Sequence, residues 1–211
     1  MYLNLLEVFL ISIVPISLIK FKVIPSRFRF VVLSGIFVLL LILIYFQGIT
    51  LMQLGIRIDD ISSTIVPYLF ATIIAIFALI ALSKIMRHGH AKEWYKDPHF
   101  LFLFIPISIA QQFLFQGFIL LKLEGVFPTV FAVIITALIF GYMHTIYPKP
   151  IFSMILGILA GLFFATLYVI YPNLLSASIS HAILNFTAVY LGFFTFVDSE
   201  GVPKKTELSL F

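Results

Sequence analysis

The chain has 211 residues, of which 62% are hydrophobic and 10% charged, and its mean hydropathy is +1.17. A soluble domain carries about a quarter charged residues, so this much charge cannot coat a water-facing surface, and a polytopic membrane protein forming one helical domain is expected. The net charge of +4 sits in short loops between apolar runs rather than on a nucleic-acid-binding face, and the absence of cysteine excludes disulfides, thiolate metal sites and cysteine nucleophiles.

A membrane-crossing helix needs about 20 mainly apolar residues. Segments near 3–19, 28–46, 63–84, 99–121, 127–146, 151–171 and 173–195 meet that requirement. The first lacks the basic flank and small-residue cleavage site of a secretory signal and is expected to stay in the protein. Glu7 is the only acid inside an apolar run, and is read as a capping or surface residue.

The first connection holds Pro25 and the cations Lys20, Lys22, Arg27 and Arg29. The second, Gln47 to Ser62, contains Gly48, Gly55, Asp59 and Asp60, and is the place where an extra re-entrant or split segment could lie. The third, from Arg87 to Pro98, is read as a solvated loop with His88, His90, His99, Glu93 and Asp97, and with Trp94 at headgroup depth. Cations concentrate in the first, third and fifth connections and in the tail. Seven spans place all of these on one side, which makes the N-terminus external and the C-terminus cytoplasmic.

Along the sixth span, Ser153, Gly157, Gly161 and Ala165 put a small residue at every fourth position. In lipid such a stripe lets backbones approach closely, so it is read as packing inside the bundle, with a dimerisation face as the alternative. A short mobile tail is expected after Val197, which gives one transmembrane domain over 1–196 and a polar cytoplasmic tail over 197–211.

Three apolar spans also carry polar residues at helical spacing. Ser108, Gln112 and Gln116 share a face of the fourth, with Gln111 about 100° to the side. Thr136, Phe140 and His144 align on the fifth, and Ser178, His181 and Asn185 on the seventh. Polar groups in membranes face the bundle interior and mark functional paths. Interhelical hydrogen-bonding glue would explain any one of them; the joint pattern on three helices points to one buried site. His144 and His181 are the candidate metal ligands, although a catalytic zinc wants three protein ligands plus water. Transport would need paired inverted repeats or intramembrane charge, and between Pro98 and Phe196 the only charges are Lys122, Glu124 and Lys149, near predicted loops.

Three strings carry a resemblance: Gln111-Gln112-Phe113-Leu114-Phe115-Gln116, Phe140-Gly141-Tyr142-Met143-His144, and His181-Ala182-Ile183-Leu184-Asn185. In order and spacing they resemble the EExxxR, FxxxH and HxxxN or HxxxD motifs of the CAAX protease and bacteriocin-processing (CPBP, or Abi) family of intramembrane endopeptidases. Phe115-Gln116-Gly117 is similar to that family's FRG, and the glycine-bearing helix falls between the second and third motifs. The resemblance covers a core of about 99–192. It implies an all-α transmembrane bundle of seven to eight helices in a bacterial cytoplasmic membrane. Gln111 and Gln112 then occupy the positions of the glutamates that activate water. His144 and His181 stand where histidines assist that water or bind a proposed metal. Asn185 takes the oxyanion-stabilising position, and Gln116 replaces an organising arginine. No resident cofactor is called for, zinc belonging at most to an active relative.

The departure from the family pattern is chemical. A carboxylate accepts a proton from water and an amide does not, and losing a positioned base costs about 10²–10⁴ in rate. A histidine, whose unperturbed pKa lies near neutrality, is the remaining substitute. The resemblance therefore implies an endopeptidase fold for a prenylated or small membrane or bacteriocin-like peptide, catalytically disabled as written. The alternative is a scaffold, regulatory or immunity protein that binds a peptide or membrane-protein partner in the same cavity. Natural loss of the acids and a deliberate glutamate-to-glutamine pair both fit, and Gln116 in place of arginine favours drift.

Overall fold

The computed structural model describes residues 2–25, 28–87, 90–91, 98–147, 149–193 and 208–209. Among these the chain forms seven helices: α1 (Tyr2–Lys20), α2 (Arg29–Phe46), α3 (Ile61–Ile85), α4, α5, α6 (Pro150–Ile170) and α7 (Leu174–Tyr190). Helix α4 begins as Pro98–Gln112, widens to π winding over Phe113–Leu120 and closes as Leu121–Glu124. Helix α5 runs Thr129–Met143 and tightens into a 3-10 turn at His144–Ile146. A two-residue antiparallel ladder joins His90–Ala91 to Leu208–Ser209.

Tyr2–Lys20, Ile61–Ile85, Ile105–Glu124, Thr129–Ile146 and Pro150–Ile170 are long and apolar enough to cross a membrane, while Val31–Phe46 and Leu174–Tyr190 are shorter apolar helices. The outward faces are apolar: Val66, Phe70 and Phe77 on α3, and Ile151, Ile155 and Leu159 on α6, are exposed. Water would penalise that surface and hydrocarbon does not. The protein is an all-helical integral membrane bundle.

The seventh helix ends at Tyr190 rather than continuing to 195, because Gly192, at a φ of 75°, turns the chain. The loop reading around His88, Glu93, Trp94 and Asp97 lies outside the described residues, as does the tail except for Leu208–Ser209.

The largest interface joins α5 to α6, followed by α4 to α7 and α3 to α7. The small-residue stripe builds the first of these. A Cβ on Gly161 would lie 2.7 Å from Ala137 Cα, and one on Gly157 would lie 2.9 Å from both Gly141 Cα and the His144 ring. The stripe is thus spent inside the bundle. Across α3 and α7, hydroxyl pairs Thr64–Ser176 (2.8 Å) and Thr72–Ser180 (2.5 Å) satisfy buried groups reciprocally.

Residues 47–60 form no re-entrant helix. They turn into the bundle as a plug, with Leu54 fully buried. Tyr168 Oη donates to Leu54 O (2.8 Å), Leu174 N to Gly55 O (2.7 Å) and Asn173 Nδ2 to Arg57 O (2.7 Å). Gly55, at a φ of 72°, packs so closely on Tyr168 that a side chain there would collide with the ring. Asn173 also caps α7 by accepting from Leu175 N (3.1 Å) and Ser176 N (3.0 Å).

Glu7 is neither a cap nor a surface group. Its carboxylate is 9% exposed and pairs with Lys122 Nζ at 2.8 Å while accepting from Gln47 Nε2 at 2.7 Å. Lys122 also donates to Gln47 Oε1 and lies 5.3 Å from the centre of the Phe118 ring. One ion pair thus ties α1, α2's C-terminal end and α4 at the same end of the bundle as the plug. An acid three helices away in sequence from its cation leaves no local pattern, which is why the pairing was not legible.

Candidate functional site

Helices α4 and α7 run antiparallel, and their polar faces meet midway along the bundle. Gln112, fully buried on the last α-helical turn of α4, places its amide nitrogen 2.8 Å from His181 Nδ1. One turn away, Asn185 Nδ2 donates to Ser108 Oγ at 3.1 Å. These rungs use the four-residue spacing of each helix.

The second imidazole comes from α5. His144 Nδ1 donates to Phe140 O at 2.8 Å, and the ring is held between Phe140 (4.8 Å) and Tyr147 (5.7 Å). His181 lies against the same Phe140 ring (5.7 Å) and against Phe164 of α6 (4.6 Å). Gly157 contributes by absence, since a side chain there would strike the His144 ring. Gln112, Phe140, His144 and His181 are thereby gathered into one aromatic-walled site, bordered by Ser108 and Asn185.

The two rings are held in opposite tautomers. A carbonyl only accepts, so His144 carries its proton on Nδ1 and has its lone pair at Nε2. An amide nitrogen only donates, so His181 Nδ1 accepts from Gln112 and the proton sits on Nε2.

The other predicted residues lie elsewhere. Gln111 is half-buried and hydrogen-bonds to neither imidazole; its Oε1 has no partner. Ser178 Oγ turns back to Leu174 O at 2.7 Å and satisfies its own helix. Gln116 leaves the stripe. The π winding after Gln112 changes the phase of α4, so Gln116 reaches a cleft beside the plug instead of the histidines, with both amide atoms unpartnered. Thr136, also fully buried, has an unpartnered hydroxyl.

As a metal centre the arrangement is short of donors. Among the described residues no group of three His, Cys, Asp or Glu side chains converges, and both Nδ1 atoms are engaged within the protein. Two imidazoles with neighbouring amides do not fit a catalytic zinc, which takes three strong ligands. Sequence reasoning missed the Thr64–Ser176 and Thr72–Ser180 pairs and the Asn173 cap. Their signals were hydroxyls four or eight residues apart on apolar helices, and Pro172-Asn173 just before an apolar run.

No curated protein and no solved structure matches the chain. Residues 94–187, which span α4 to most of α7, match the family described as type II CAAX prenyl endopeptidase Rce1-like. That segment contains every rung of the site: Ser108, Gln112, Phe140, His144, His181 and Asn185. Over those residues, a little under half of its length, the chain is similar to the Rce1-like, type II CAAX prenyl endopeptidase family.

Proposed function

We propose that the site among α4, α5 and α7 receives a peptide at the membrane, a prenylated C-terminus or a small membrane or bacteriocin-like peptide, and that the chain as it stands holds this peptide more readily than it cuts it. The observation that carries the reading is the Gln112–His181 contact. In the family pattern a glutamate stands at position 112, and its carboxylate would take a proton from water. Here an amide occupies that place, and it also sets His181 with Nε2 protonated, so neither partner of the contact serves as a base. His144 Nε2 is the base that remains, and Asn185 can orient a peptide carbonyl. A non-enzymatic scaffold or immunity role uses the same pocket without restored chemistry.

The test is the double substitution Gln111→Glu with Gln112→Glu, with cleavage of a fluorogenic prenylated peptide measured in liposomes. Turnover confined to the substituted protein supports a disabled peptidase. Silence in both, together with capture of the peptide that His181→Ala weakens, favours the scaffold. Clear turnover in the unsubstituted chain overturns the proposal.

A further inference from the structure

Between the plug and the ends of α4 and α6 lies a cleft of about 170 Å³, whose lining includes Gln53, Gly55, Arg57, Gln116, Glu124 and Tyr168. Gln53 and Glu124 are exposed at its rim, whereas Gln116 is 1% exposed. Gln116 has no hydrogen-bond partner for Oε1 or Nε2, and Arg57 Nε is likewise buried and unpartnered. Buried polar groups in folded proteins are satisfied by protein or by water. A polar cavity of this size has room for several water molecules, each needing two to four polar partners. Outside the cleft's lining, Thr136 Oγ1 on α5 and Gln112 Oε1 on α4 repeat the pattern of a buried oxygen without a protein partner. Gln116 lies within the π-wound stretch that begins directly after Gln112, so one helix joins the orphaned amide of the cleft to the amide that touches His181.

We propose that this cleft is a hydrated vestibule that carries water from the plug-end face of the membrane to the Gln112–His181 pair. Water there completes the hydrogen bonding of Gln116 and Arg57. The approach is from the end opposite the loops that carry Lys20, Lys84 and Lys149. Its purpose rests on reading the pair as a peptide site, but its existence does not, and the test reads water access rather than cleavage.

The chain has no cysteine, so single cysteines can be addressed one at a time by a permanently charged, membrane-impermeant methanethiosulfonate on sealed vesicles of either orientation. Gln116→Cys should be labelled from the face that labels the rim variant Gln53→Cys, while Phe118→Cys, in the packed core, should stay unlabelled. Gln112→Cys should be labelled from that same face, and the label should be lost when Gln116→Leu is added. No labelling of Gln116→Cys from either face, or labelling of Gln112→Cys only from the opposite face, overturns the proposal. Thermal unfolding in detergent gives a readout independent of the cysteines. In a dry cleft Gln116→Leu removes an unsatisfied amide and raises Tm, which counts against the vestibule; in a hydrated one Tm stays level or falls.

Discussion

A neutral imidazole has one proton for two nitrogens, and the groups that Phe140 and Gln112 present decide where it goes. His144 donates from Nδ1 to a carbonyl, and His181 accepts at Nδ1 from an amide. Nitrogen-15 shifts should therefore show His144 protonated at Nδ1 and His181 at Nε2. With Gln112→Glu the second ring should invert, because a carboxylate accepts from Nδ1–H and leaves Nε2 with the lone pair. An Nδ1-protonated His181 in the unsubstituted chain would place the amide the other way round and remove this account of the missing base. Sequence spacing put Gln112 on the helix face that meets His181. It could not assign protons, which depend on which atom of each neighbour faces the ring.

Helices are brought together here by what is left off them. Gly157 lets α6 lie against His144, and Gly157→Ala places a methyl 2.9 Å from the ring and from Gly141 Cα. Overpacking of this kind costs about 1–3 kcal/mol, so a lowered Tm in detergent together with a displaced His144 resonance is expected. A surface-facing stripe would show neither. Asn173→Ala removes the cap of α7 and the tether to Arg57 O together. Since a cap alone is worth about 1 kcal/mol, the loss should exceed that of a solvent-exposed cap. The expected readout is increased proteolysis at residues 47–60, and an unchanged pattern would count against the tether. Periodicity made the spans, the small-residue stripe and the Ser108–Gln112 and His181–Asn185 faces legible. It failed at Gln116 because the four-residue rule assumes α winding, and Phe113–Leu120 is π. It failed at the plug because Leu54 is buried by tertiary contacts that hydropathy does not encode.

At the scale of the whole molecule, seven helices set the two chain ends on opposite faces of the bundle. The ladder between His90–Ala91 and Leu208–Ser209 agrees, placing the tail beside the connection that follows α3. The cation-rich connections lie at that end, and the positive-inside rule predicts that a reporter fused after Phe211 faces the cytoplasm. A reporter found on the other face would refute this orientation. The family match begins at residue 94, so α1, α2 and α3 precede the matched core, and α1 and α2 must be fastened to it by their own contacts. Glu7, Gln47 and Lys122 do this. Their order in the chain has a consequence for biogenesis. The acid of α1 reaches the bilayer during synthesis well before its cation exists, and an isolated carboxylate at that depth is costly. Nascent α1 therefore has reason to linger at the translocon until α4 emerges and clasps it. A fragment truncated before Lys122 should insert less completely than the same fragment carrying Glu7→Gln, whereas equal insertion would mean that the first helix settles without its clasp.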